Sequence, residues 1–177
     1  ENALIANEKA VQIDPHDAEA NHNLGITFKS LARLDDAKNS FTRAIKIKSD
    51  YAEAYINLGV LYQELGNLKD AESVYKKAIK INTNFAITHN NLANVLHDME
   101  RYDEAIICYK KAISLQSNFF QAYNNLGTTY KCLGELKLAE KSYRKAIVLK
   151  PDFAEAFQNL AKTLQDFGKH DEAEANF

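Results

Sequence analysis

Apolar positions recur at helical spacing along the whole chain. Between Tyr51 and Phe85, the residues Leu58, Leu61, Tyr62 and Leu65 fall three and four apart, which predicts a helix with one buried face. Gly66-Asn67 then interrupts the pattern, as a left-handed helix end would. Ala71, Val74, Tyr75, Ala78 and Ile79 set a second apolar stripe on a second helix. Asp70 stands in its first turn and Lys76, Lys77 and Lys80 towards its end, which complements the helix dipole. The small alanines let the two helices approach closely, and the aromatic fills the space between them.

The pair repeats. Asn-Leu-Gly or Asn-Leu-Ala begins at Asn23, Asn57, Asn91, Asn125 and Asn159, each 34 residues after the last. Ala3, Ala37, Ala71, Ala105, Ala139 and Ala173 keep the same period. Ala10, Ala44, Ala78, Ala112 and Ala146 follow the first five of these at seven residues, with Phe41, Tyr75, Tyr109 and Tyr143 in between. A period of this length means that each unit buries its apolar face on its neighbours.

The spacing L-G-x-x-Y/F, then A-x-x-x-Y/F-x-x-A, with a closing proline at Pro15 and Pro151, resembles the tetratricopeptide repeat over the whole chain. The early aromatic of that pattern stands at Tyr55, Tyr123 and Phe157 but is Asn21 and His89 elsewhere; Ser49, Thr83 and Ser117 replace the proline. The resemblance implies an all-α, right-handed superhelical solenoid of helix-turn-helix repeats. The expected organisation is one domain over residues 1–177. Residues 1–17 are the second helix of a truncated repeat, 18–51, 52–85, 86–119 and 120–153 are full repeats, and 154–177 is a truncated one. Eleven helices are expected. Ala32 and Met99-Glu100 replace the turn glycine, so a slightly different turn is expected there. Asp17, Asp50, Asn84, Asn118 and Asp152 precede first helices and are expected to cap them.

Composition narrows the partners. A formal net charge of −2 gives no electrostatic basis for holding nucleic acid. No apolar run approaches the roughly 18 residues of a membrane helix. Cys108 and Cys132 lie in different helices, and unpaired cysteines favour a reducing compartment, the cytoplasm. The chain lacks an initiator Met and is expected to be a fragment of a longer protein.

The chemistry points to binding, with no catalytic, metal or cofactor site expected. His89 and His97 are eight apart, not at the spacing of a zinc helix, and no cysteine joins them at ligand spacing. No G-x-S-x-G, P-loop or dinucleotide fingerprint occurs. The recurrent base at Lys9, Arg43, Lys77, Lys111 and Lys145 reads as a solvated outer face. Glu72–Lys76 and Glu140–Arg144 are expected as pairs four apart on that face.

The asparagines need a reason of their own, because asparagine is a mediocre helix former. Asn23, Asn57, Asn91, Asn125 and Asn159 each precede a buried leucine and are turned about 100° away from it. In tetratricopeptide solenoids the first helices line a concave groove, so these side chains would form a ladder along it. An amide offers donors and an acceptor, which suits it to grip a peptide backbone. Asn90, Asn124 and Asn94 are expected in the same groove, beside Lys29, His97, Lys131 and Lys162.

With this ladder, Ala-Glu-Ala-Tyr before Asn-Leu and Lys150 to Ala156 (Lys-Pro-Asp-Phe-Ala-Glu-Ala) resemble the repeat domain of O-linked N-acetylglucosamine transferases. That resemblance implies that the asparagines hold protein substrates; the transferase domain itself is absent from this chain. A carboxylate clamp of the chaperone-binding kind would need groove lysines. The matching positions are His22, Ile56, Asn90, Asn124 and Gln158. The alternative to peptide binding is a scaffold whose asparagines serve repeat packing. Leu160, Leu164 and Phe167 at one end, and Leu4, Ile5 and Val11 at the other, are expected to lack partners and to favour head-to-tail self-association.

Overall fold

A computed structural model describes residues 2–166. The described residues form ten helices and no strand. They are α1 (Asn2–Ile13), α2 (Ala18–Ser30), α3 (Leu34–Ile47), α4 (Ala52–Glu64), α5 (Leu68–Ile81), α6 (Ala86–Asp98), α7 (Tyr102–Leu115), α8 (Phe120–Cys132), α9 (Leu136–Leu149) and α10 (Ala154–Asp166). The expected eleventh helix, and Phe167, lie outside the described residues. The chain divides into two compact units, Glu1–Asn84 and Phe85–Phe177. In the first, α2 pairs with α3 and α4 with α5, while α1 packs on α2 and α3 on α4. In the second, α6 pairs with α7 and α8 with α9, while α7 packs on α8 and α9 on α10.

Each hairpin closes on one small-to-large contact. A Cβ added at Gly25 would meet the Phe41 ring at 2.6 Å, at Gly59 the Tyr75 ring at 2.6 Å, and at Gly127 the Tyr143 ring at 2.7 Å. The rings are sealed in: Phe41 and Tyr75 have no exposed surface, and Tyr109 and Tyr143 next to none. Ala37, Ala44, Ala71, Ala78, Ala105, Ala112, Ala139 and Ala146 are wholly buried around them. Repeated alanine and glycine therefore set the helix separation, and the aromatics fill it.

Three expectations are corrected. The turns at Ala32 and Glu100 are not different in kind. Ala32 (φ 57°) and Glu100 (φ 60°) take the same left-handed backbone as Gly66 (φ 72°) and Gly134 (φ 75°). In all four turns the next residue's N–H reaches a carbonyl five residues back: Arg33 to Phe28 at 2.9 Å, Asn67 to Tyr62 at 2.8 Å, Arg101 to Leu96 at 2.9 Å and Glu135 to Tyr130 at 2.9 Å. The shared hydrogen bonding and packing outweigh a cost of about 1 kcal/mol for a side chain there.

Capping is also different. Asp17 accepts from the N–H groups of Glu19 (2.8 Å) and Ala20 (3.1 Å). At α4, α6 and α8 the cap position is one residue later than expected, at Tyr51, Phe85 and Phe119, and no side chain caps the helix. Asp50 and Asn118 contribute backbone carbonyls instead, to Ala52 (3.1 Å) and Phe120 (2.9 Å). Finally, Leu160 and Leu164 are buried, and Leu4 and Val11 pack on the core of the first unit around Phe28 and Phe41; Ile5 remains exposed.

Candidate functional site

The ladder positions all lie on the first helix of a pair. Leucine at 24, 58, 92, 126 or 160 is buried in each case. The asparagine before it falls on the flank of the helix: Asn23 is exposed, and Asn57, Asn91, Asn125 and Asn159 are half-buried.

In the first unit, the Asn57 amide nitrogen on α4 reaches Nε2 of His22 on α2 at 2.7 Å. The other ring nitrogen, Nδ1, lies 3.2 Å from the Tyr51 hydroxyl. With Asn57 donating to Nε2, Nδ1 carries the proton and donates to Tyr51. Burial holds the His22 pKa below its ordinary value, with Glu53 and Glu19 acting the other way. A neutral ring is what this pair of bonds requires. Burial raises the Tyr51 hydroxyl, and Glu19, Glu53 and Asp17 add to it. Lys29 and Glu64 join the same two helices at 2.8 Å. The Asn23 backbone carbonyl accepts from Asn7 (3.4 Å) and Thr27 (3.1 Å), while its side chain is in solvent.

The second unit makes the equivalent links with different partners. Asn125 donates to Asn94 at 3.0 Å, and the Tyr109 hydroxyl donates to the same oxygen at 2.6 Å. Asn159 donates to Asn124 at 3.1 Å, and Asn124 donates to Glu155 at 2.9 Å. His97 Nδ1 and the Thr129 hydroxyl are 3.0 Å apart, and Lys131 meets Asp166 at 2.9 Å. Burial pushes up the hydroxyl pKa of Tyr109 and of Tyr143. Asn91 accepts a long bond from Asn90 (3.5 Å) within α6. Asn90 is 5% exposed, and its side-chain carbonyl oxygen has no hydrogen-bond partner among the described residues.

The structure thus brings together Asn57 with His22, Asn94 with Asn125, and Asn124 with Asn159. Asn23 and Asn91 make no side-chain link to another first helix among the described residues. His22, Tyr51, Glu155, Thr129 and Tyr109 were not singled out as site residues. For His22, Glu155 and Thr129 the signal is an offset: linked first-helix residues lie 31 to 35 positions apart, close to the 34-residue repeat, whereas Tyr51 and Tyr109 link at 29 and 15.

On the second helices, Glu72–Lys76 (2.7 Å) and Glu140–Arg144 (3.0 Å) pair as expected for a solvated face. Among the described residues no three His, Cys, Asp or Glu side chains converge on a possible metal position. No described helix is long and apolar enough to cross a membrane. Within each unit the first helices carry amides that bond from one first helix to the next.

Family models of the tetratricopeptide repeat match residues 52–85, 84–152 and 142–175, and a further model, described as TPR repeat, matches residues 28–66. No curated protein matches the chain. Among solved structures, a crystal structure of MamA is 27% identical, with a TM-score of 0.82, over 87% of this chain and 90% of that one. YrrB, described as a TPR protein with an unusual peptide-binding site, is 24% identical, with a TM-score of 0.81, over 98% and 90%. PilF of Pseudomonas aeruginosa is 22% identical, with a TM-score of 0.82, over 90% and 72%. Repeat spacing, hairpin packing and repeat models spanning residues 28 to 175 agree, and the chain belongs to the tetratricopeptide-repeat family.

Proposed function

We propose that this chain is a protein-interaction module that holds an extended peptide or protein segment along its asparagine line. Tetratricopeptide-repeat proteins generally mediate protein–protein interaction, and the fold is typically non-catalytic. The observation that carries the reading is the state of the amides themselves. Asn57, Asn125 and Asn159 each commit an N–H to the preceding first helix and stay half-exposed. A side chain held in this way presents its remaining polar atoms with little entropy left to lose on binding. A row of such groups would pair with the N–H and C=O of an extended chain and read its side chains only loosely. Half-buried Asn94 would add a contact beside the row, while Asn90 and Asn124 are buried behind it.

The likeness of the repeats to those of O-linked N-acetylglucosamine transferases is consistent with this role: the module would recruit substrates or partners for a larger cytoplasmic protein. Cys108 and Cys132 form no disulfide among the described residues, which suits that compartment.

A second reading has its own support. The bonds Asn57–His22 and Asn159–Asn124 also fix how repeats stack, as a pure scaffold would need. An array of unstructured peptides separates the two, with wild type compared with Asn57→Ala/Asn91→Ala/Asn125→Ala. Loss of broad binding at unchanged helicity and melting temperature supports the peptide grip. No binding by wild type, or a variant that simply melts, supports the scaffold.

A further inference from the structure

The second unit has a cleft on the opposite side of α8 from Asn124 and Asn125, as helical periodicity places Tyr123, Leu126 and Tyr130 there. These three form its floor, and one face of α9 forms its wall. Its volume is about 610 Å³, ample for one or two large side chains.

The wall is unlike its counterparts. Leu138 is 42% exposed and Val148 is 71% exposed, and both line the cleft. One repeat length earlier, the same positions are Glu104 and Ser114; before that they are Asp70 and Lys80, then Asp36 and Lys46. Only in α9 among these helices are both positions apolar. The charge also changes. Helices α3, α5 and α7 carry acids in the first turn, and α9 has none. Its one acid, Glu140, is engaged by Arg144. Lys141 and Lys145, on the cleft wall, make no ion pair among the described residues.

Exposed apolar side chains at both ends of a wall, with ammonium groups between them that make no ion pair among the described residues, describe a complementary ligand. It must bring apolar side chains for the floor and carboxylates for the rim. We propose that the α8–α9 cleft of the second unit docks an acidic amphipathic segment of a partner protein, separately from any peptide held by the asparagines. Leu138, Val148 and the tyrosines take its apolar side chains, and Lys141 and Lys145 face its carboxylates. The aliphatic rim and the small number of cations favour a peptide over a nucleic acid, whose phosphates would demand more.

The test uses the whole chain and two fluorescein-labelled peptides. One has Glu and Asp on one helical face and Phe and Leu on the other; in the second, Gln and Asn replace the acids. The acidic peptide is expected to bind at least about tenfold more tightly, and added salt should narrow the gap. Leu138→Asp/Val148→Lys installs the residues that α5 carries, so the helix should tolerate it; binding should fall about tenfold or more. Lys141→Ser should remove most of the preference for the acidic peptide. Equal binding of both peptides, no binding, or full binding by a folded Leu138→Asp/Val148→Lys chain would overturn the proposal. So would competition by oligouridylate, or a wild-type dimer in sedimentation that the same variant abolishes.

Discussion

The hairpins α4–α5 and α6–α7 are built on one 34-residue pattern yet differ where polarity and backbone matter. In α4–α5, Ala54 is fully buried, Gly59 packs on the fully buried Tyr75, and Gly66 makes the turn in its natural left-handed conformation. In α6–α7, Thr88 stands for Ala54, His89 for Tyr55, Asn90 for Ile56, Ala93 for Gly59 and Glu100 for Gly66. Thr88, His89 and Asn90 are all buried, and the Thr88 hydroxyl and the Asn90 side-chain carbonyl have no hydrogen-bond partner among the described residues. Both hairpins form the same fold, so the alanine-and-aromatic contact carries the architecture. The third repeat buries polar groups that the fold does not need, at a cost in stability.

Five substitutions sharpen the comparison. Gly59→Ala should be the most damaging, because its Cβ would lie 2.6 Å from the Tyr75 ring. A loss of about 1–3 kcal/mol is expected, read as a lower melting temperature and denaturation midpoint. Thr88→Ala restores the residue of the second repeat and removes an unpaired buried hydroxyl; chemical denaturation should show a gain of about 1–2 kcal/mol. Glu100→Gly should add up to about 1 kcal/mol by relieving a left-handed side chain, and Gly66→Ala should lose as much. An Ala32→Gly chain should behave like Glu100→Gly, since the two turns share their hydrogen bonds.

A smaller effect follows from His22, which supports Asn57 of the second repeat. Its pKa is lowered by burial from the ordinary 6.5. The unfolded chain therefore takes up a proton before the folded one as pH falls. This contribution to stability is whole above pH 6.5 and declines below it. Melts across that range should show the decline, and His22→Gln should flatten it.

The periodicity made the hairpins legible, because each small-to-large contact recurs at a fixed offset. Local preference misled at Ala32 and Glu100, where the hydrogen bonds of the turn override the choice of residue. It misled again at Asp50 and Asn118, since tertiary packing shifts the helix start onto an aromatic. The asparagine series could be read from Asn57 and its counterparts, but its bonding could not. That Asn57 finds His22 while Asn125 finds Asn94 depends on how successive first helices stack, and residue identities alone do not contain that offset. Asn90 looked like one more groove amide; its buried, unpaired carbonyl emerges only from packing.

Asn91 offers the cleanest view of the central claim, because its amide is half-exposed and is bonded only within α6 among the described residues. The direct measurement follows asparagine side-chain amide resonances by NMR as an unstructured peptide is added. If the line grips a peptide, the signals of Asn57, Asn91 and Asn125 should shift together and saturate with the same affinity, and Asn91→Ala should weaken binding without lowering the melting temperature. Saturable binding that leaves those amide signals unmoved would contradict the account.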